Sequence, residues 1–529
     1  MPQSTFFHLT GKEGCFASGD SCVWCGFDGV VCTGRTRAFA LKRWGISFGG
    51  RNLTAIGGLR RGRLGDQPCG APTASADTLP GSLTEAYVCN PQLNSQRAVV
   101  RATDEGVPQA LSGYKPRVTA NGTLGQQYTT GVSKTLFTAG TAGPNSPLIG
   151  TPDYPRVARG YTPSSVGVTV NQTLYNGLQT SNRTRQAESN TSIARETLRV
   201  TEQTILLNAA TVYMDLLRDG ALLELQRRNV EVLQEQLRQT RDRFIVGEVT
   251  RTDVAQAESR LAAGRASVLS AEAQYSRSKA TYRQVVCREP GKLAPGAPID
   301  RLSPTRLQVA IEIARARHPS VGVAMFGIDF AVLQVKINEG SLYPALNLTG
   351  TVQQQWETDL SRQALQQFNA FVLGQLSVPI YQGGGEYSLI RQAKETVGQK
   401  RIDLDTARDA AQANVTTVWG QLEAAKAQIL ATQAQVASAE IALNGVREEA
   451  RVGQRTTLDV LNAQQELVNA RTALVIAQHD RVVSSYNLLA GVGELNLPKL
   501  GLNIPLYDPL VHYEQVRDAW AGVRIPDGR

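Results

Sequence analysis

One stretch of this chain is written twice. Val246-Gly247-x-x-Thr250-x-x-Asp253-Val254-x-x-Ala257-x-x-x-Leu261-x-x-x-Arg265 returns as Val452-Gly453-x-x-Thr456-x-x-Asp459-Val460-x-x-Ala463-x-x-x-Leu467-x-x-x-Arg471, each residue shifted by 206 positions. The same shift carries Tyr175 and Gly177 onto Tyr381 and Gly383, Arg185-Gln186-Ala187 onto Arg391-Gln392-Ala393, and Asn208, Thr211 and Val212 onto Asn414, Thr417 and Val418. A repeat this long restricts the fold to two similar halves that share one architecture.

An earlier block repeats at a different spacing. Pro91 and Pro319, Pro116 and Pro344, Gly122-Thr123 and Gly350-Thr351, and Gln126-Gln127 and Gln354-Gln355 are each 228 apart. The difference, 228 − 206 = 22, is extra chain in the first copy between Gln127 and Tyr175. Gly140, Gly143, Pro144, Pro147, Gly150, Pro152 and Pro155 lie in it. Loops accept such growth and packed elements do not, so a loop is expected there.

Prolines are missing between Ser164 and Glu289, and a single one, Pro379, precedes a second such gap between Ile380 and Leu497. In the first gap Leu223, Val230, Leu237 and Phe244 recur every seven residues, with Leu233 offset, which reads as a coiled-coil seam. A helix from about Gly177 to Val246 would reach ~105 Å at ~1.5 Å per residue, far beyond a globular core. Gly247 then turns the chain, and Thr250 with Asp253 caps a return helix ending near Val286. Helix-patterned segments at Leu83–Leu111 and Leu307–Ile337 would stack on the shorter return helices to match the long arms. The expected order is helix, strand, outer loop, strand, long helix, tip and return helix, run through twice.

The strands alternate apolar and polar residues: Pro116-Arg-Val118-Thr-Ala120-Asn, Val166-Gly-Val168-Thr-Val170-Asn, Pro344-Ala-Leu346-Asn-Leu348-Thr and Leu376-Ser-Val378-Pro-Ile380. Segments of about ten such residues suit a barrel with one lipid face and one water face. Four strands cannot close a barrel, and open edges are not tolerated in lipid, so the chain is expected to oligomerise. No run of eighteen apolar residues marks a transmembrane helix.

The net charge of +9 over 529 residues is uneven. Residues 1–76 contain nine Lys/Arg against four Asp/Glu, leaving only +4 for the rest, and the repeated body has no basic, aromatic stripe of the kind nucleic acid requires. Cysteines divide likewise: Cys15, Cys22, Cys25, Cys32 and Cys69 precede residue 77, and Cys89 and Cys287 follow it. Cys22-Val-Trp-Cys25 lacks the second ligand pair of a zinc site, so no metal is expected. Ala74-Ser75-Ala76 has the form of a signal-peptidase site, yet no apolar stretch precedes it. The first ~70 residues are expected not to be a natural leader.

These residues resemble the TolC-like outer-membrane efflux protein family over about Asp77 to Leu497, most specifically in Asn171-Gln-Thr-Leu-Tyr175-Asn-Gly177, Tyr381-Gln-Gly383 and the two tips. His512-Tyr-x-x-Val-Arg-x-Ala-Trp-Ala-Gly is similar to one branch of it. The resemblance implies an α+β membrane protein: a homotrimer whose four strands per chain make a twelve-stranded outer-membrane β-barrel, continuous with an α-helical coiled-coil barrel in the periplasm. It implies an internal duplication with repeats at 77–290 and 291–497, a tail at 498–529 and an unrelated segment at 1–76. It implies a passive duct for type I secretion or drug efflux, partnered by outer-membrane lipid, a periplasmic adaptor and an inner-membrane RND or ABC transporter. An arginine of the second tip would bond a threonine and an aspartate of the first to shut the entrance; here these are Arg455, Thr252 and Asp253. The family's tyrosine before the second tip is Ala450, and its two constricting aspartates map to Asp459 and Asn462. Val246, Gly247, Val452 and Gly453 occupy the adaptor-contacting positions.

No enzyme is expected. His8, His318, His479 and His512 are scattered without catalytic partners at motif spacing. Gly383-Gly384-Gly385 is followed by Glu386, not by the Lys-Ser/Thr of a phosphate loop, and a strand-to-helix bend accounts for it. Nothing calls for a cofactor. The competing reading is a periplasmic coiled-coil adaptor or structural protein, which would lack the amphipathic strand pairs.

Overall fold

A computed structural model describes residues 77–132, 156–356, 366–502 and 504–526. The cysteine-rich segment before Asp77 and the Gly/Pro-rich part of the 22-residue insertion lie outside them.

The element order runs twice. Helices α1 (Leu79–Cys89), α2 (Pro91–Asp104) and α3 (Gly106–Leu111) lead to strands β1 (Arg117–Leu124), β2 (Gln127–Val132), β3 (Arg156–Tyr161) and β4 (Ser164–Asn176). Then come α4 (Gln179–Ile245) and α5 (Arg251–Val286). The second half has α6 (Leu307–Arg317), α7 (Pro319–Gly340), β5 (Ala345–Trp356), β6 (Gln366–Ser377), α8 (Gly385–Arg451) and α9 (Thr457–Val492), and α10 (Pro509–Val516) closes the chain. Both long helices have 67 residues, ~100 Å at ~1.5 Å per residue. Both return helices have 36.

Each helix expected before the first strand is divided. Asn90 and His318 leave the helical region (ψ 121° and 133°) because proline follows, and each then caps the next helix. Asn90 Oδ1 accepts from the Gln92 and Leu93 amides at 2.9 and 3.3 Å, and His318 Nδ1 accepts from the Ser320 amide at 3.2 Å. Burial keeps the His318 pKa below the usual imidazole range, which suits a ring nitrogen acting as acceptor. The stretch Leu307–Gly340 is long and apolar enough to cross a membrane, although charged and polar residues interrupt its apolar run. Pro319 divides it, and α7 packs between α4 and α8.

The sheet is antiparallel in the order β1-β4-β5-β6, and among the described residues its edges, β1 and β6, each have one neighbour. Its register aligns Val118, Val170, Gly350 and Val372 in one row, and Ala120, Val168, Val352 and Ala370 in the next. Because side chains alternate along each strand, these rows form one mainly apolar face. Thr119, Thr169, Thr351 and Phe371 lie on the other, which is mainly polar. A register shift between Thr173 and Tyr175 returns Tyr175 to the apolar face opposite Leu346. The twelve residues of β5 span ~40 Å along the strand, or ~28 Å of height at a ~45° tilt.

Two expectations are corrected. Val378-Pro-Ile380 lies beyond β6, which ends at Ser377; proline has no N–H to give the ladder. The second is the end of the heptad seam: Leu223, Leu233 and Leu237 are buried as expected, but Phe244 is 44% exposed. A short hairpin, β2–β3, flanks the Gly/Pro-rich insertion, whose own residues lie outside the described ones.

The main core lies where mid-α4 meets α1, α2 and the ends of α5 and α9. Leu83, Leu93, Val100, Leu206, Tyr213, Tyr282, Leu489 and Leu497 are almost wholly buried there. The Tyr213 hydroxyl donates to the carbonyls of Asp77 or Ala294, at 2.8 and 2.6 Å, pinning the start of the described chain. The tail is tied down by Arg97, which lies over the Tyr87 and Tyr507 rings, and by His512 Nδ1, 3.2 Å from the buried Asp104 carboxylate.

Lower down, His479 of α9 reaches α4. Its Nε2 is 3.0 Å from Asp215 Oδ1 and its Nδ1 is 2.9 Å from Asp480 Oδ1. Arg218 also pairs with Asp215 at 2.8 Å. Burial lowers the His479 pKa, but the bonds to Asp215 and Asp480 outweigh it and leave the value raised. A raised histidine stabilises the fold fully below its unfolded pKa, about 6.5, and loses that contribution as pH rises through the folded value. The melting temperature is therefore expected to decline as pH rises from about 6.5. His479→Gln is expected to flatten that slope, and thermal scans across pH check it.

Candidate functional site

The two helix turns are built alike. α4 ends at Ile245 and α8 at Arg451, and Gly247 and Gly453 both take φ +79°. No atom crowds the space where either Cβ would stand, so the backbone conformation alone requires glycine. Thr250 and Thr456 then cap α5 and α9. Asp253 Oδ2 accepts from the Thr250 amide and hydroxyl at 2.9 and 2.7 Å; Asp459 Oδ2 accepts from Thr456 at 3.0 and 2.9 Å. Each threonine hydroxyl lies 3.3 Å from the aspartate amide in return, completing a capping box. These bonds, from the Thr250 hydroxyl and amide for Asp253 and from the Thr456 amide and hydroxyl for Asp459, hold both carboxyls below the usual carboxylate range. Two fixed negative charges thus mark the starts of the return helices.

Charges differ between the tips. Arg243 Nε donates to Glu248 at 2.8 Å in the first, and Arg455 Nε donates to Glu449 at 2.8 Å in the second. The repeat equates Arg243 with Glu449, so the ion pair is inverted. Within one chain Arg455 is therefore held by Glu449 and is not brought to Thr252 or Asp253. Thr252 is exposed, and Val246 and Val452 project at 70% and 71% exposure. Ala450 is buried beside a groove of about 490 Å³ that Glu231, Glu235, Arg243, Arg447 and Val460 also line.

The join between the hairpins here is not predicted by the sequence pattern. Leu461 of α9, 3% exposed, packs among Leu233, Leu237, Ala257 and Leu261 of the first hairpin. Beside it Arg260 Nη2 donates to Asn462 Oδ1 at 3.0 Å. A signal exists in the copies: the repeat places Glu466 opposite Arg260 and Gln256 opposite Asn462.

A family model described as outer membrane efflux protein matches residues 83–286 and 310–494, which include both hairpins and all of the four-stranded sheet. This chain belongs to the outer membrane efflux protein family. It is 39% identical over 456 residues to the outer membrane efflux protein BepC of Brucella suis, covering 86% of this chain and 94% of that one. It is 28% identical to the outer membrane protein TolC of Vibrio cholerae, over 63% of this chain and 77% of that one. Its fold is similar to the CmeC outer membrane channel of Campylobacter jejuni, with a TM-score of 0.65 at 15% identity over 83% of this chain and 89% of that one. Membership places this efflux protein in the outer membrane, with its helical part in the periplasm. The family is one of channels, not of enzymes.

Proposed function

We propose that this efflux protein is a passive exit duct, built from three copies, for multidrug efflux or type I secretion. The observation that carries this reading is a sheet with an apolar face ~28 Å high, two edges unpaired among the described residues, and direct continuity with ~100 Å helices. Edge strand β6 of one copy pairs with β1 of the next, giving twelve strands and leaving no open edge in lipid. The repeats 77–290 and 291–497 each supply two strands and one hairpin. A periplasmic coiled-coil protein has no use for such a sheet, so the alternative is disfavoured.

The tips are the gate. Between copies, Arg455 exchanges Glu449 for Thr252 and Asp253 of the neighbouring chain, because a guanidinium can hold a hydroxyl and a carboxylate together. Asp459 and Asn462 line the constriction. Val246, Gly247, Val452 and Gly453, with the groove beside Ala450, receive a periplasmic adaptor that links the duct to an inner-membrane RND or ABC transporter. Deleting the gene is expected to sensitise the host to antibiotics or bile salts, or to abolish secretion of a substrate, with the intact chain restoring the trait. A strain unchanged across both panels would count against the duct.

A further inference from the structure

Among the described residues, three side-chain hydrogen bonds or ion pairs join the first hairpin to the second, and they are spaced along its length. Gln203 Nε2 donates to the Gly493 carbonyl at 2.6 Å where the long arm meets the end of α9. His479 meets Asp215 at 3.0 Å midway. Arg260 Nη2 donates to Asn462 Oδ1 at 3.0 Å, ~8–14 Å above the turns by residue count. The third is thus the one direct polar tie near the tips. It adjoins the buried Leu461, which sits among Leu233, Leu237, Ala257 and Leu261. Nothing in the pairing of Arg455 with Glu449 performs that task, since both belong to the second tip.

We propose that Arg260 is the latch of the duct entrance: it ties the return helix of the first hairpin to that of the second, and the entrance widens when it lets go. This rests on reading the tips as the entrance. Arg260 is a positioning residue, acting through Asn462 on how far the hairpins separate. Its charge makes the bond stronger than one between neutral groups. The tie also supplies a closing contact within each protomer in a chain whose position 450 is alanine.

Single-channel conductance of the full chain in planar bilayers tests this through a double-mutant cycle. Arg260→Ala and Asn462→Ala are each expected to shift the opening equilibrium of a protomer by about five-fold, the order of one partly exposed bond to a charged donor, and so to raise conductance. The double variant is expected to go no further than either single one. Arg260→Lys, which keeps a donor of the same charge, is expected to recover most of the closed state, whereas general loosening of the helices would not be rescued so selectively. If Arg260→Ala matches wild type while Arg455→Ser raises conductance, the latch is refuted and the gate survives. If both match wild type, the reading of the tips as an entrance falls and the latch with it. Fully additive effects of the two alanines would also overturn the latch, since they would show that the residues do not act through each other.

Discussion

Gly177→Ala is expected to cost the fold about 3 kcal/mol or more, an unusually large effect for a single methyl group. Gly177 stands at the bend from β4 into α4 with φ +64°, where an alanine is strained even in open space. The space is not open: a Cβ there would lie 2.2 Å from the Gly340 carbonyl oxygen and 2.9 Å from Tyr343 Cβ. The contact is reciprocal, since a Cβ on Gly340 would meet the Gly177 oxygen at 2.7 Å. The end of α7 and the start of α4 therefore touch backbone to backbone beneath the sheet, and neither can retreat without disturbing β4 or β5. Gly383, at the matching bend of the second half, has φ +70° but no neighbour within 4 Å of such a Cβ. Gly383→Ala is expected to cost only about 1 kcal/mol. Yield of assembled protein and its unfolding midpoint in denaturant check the pair; equal effects would mean that the close approach at Gly177 is not what makes the site intolerant.

If the proposed gate holds, Arg455→Ser is expected to raise single-channel conductance several-fold, because removing a closing bond from all three proposed copies multiplies its effect through a symmetric opening. Glu449 supplies the control. It holds Arg455 within the chain, so Glu449→Gln releases the arginine toward the neighbouring tip and is expected to leave conductance unchanged or lower. Were the two variants to open the channel equally, the Arg455–Glu449 pair would be a structural brace of one tip and the bond between copies would not exist. Asp459→Ala is expected to weaken cation selectivity and block by multivalent cations. It also removes a cap, so Asp459→Asn, which keeps an acceptor but loses the charge, should show the same loss of selectivity. The bonds from Thr456 hold this carboxyl below its usual range. Selectivity is therefore expected to persist at mildly acidic pH and to fade only as pH drops through that depressed value.

Much of this architecture is legible in the residues because the repeat doubles each signal. Gly247 and Gly453, Thr250 and Thr456, and Asp253 and Asp459 mark both turns, and the capping boxes follow from local chemistry alone. Strand alternation likewise reveals the apolar face. What the residues do not reveal depends on contacts between distant parts of the chain. Pro91 and Pro319 are visible, but whether proline opens a helix or interrupts one turns on caps such as Asn90 and His318. The tight approach of Gly340 to Gly177 leaves no periodic mark. Arg260 reads from sequence as one more charged residue on an exposed helix face, and only the packing of Leu461 beside it singles it out. Arg455 stands out by resemblance alone, and its bond to Glu449 reflects competition that spacing cannot rank.

The central claim is that three copies close one barrel. Native mass measurement of the purified chain in mild detergent tests it most directly. Among the described residues edges β1 and β6 have no outer partner, and lipid supplies none, so the mass is predicted to equal three chains. A monomer or a dimer as the stable species would contradict the barrel, and the gate built upon it.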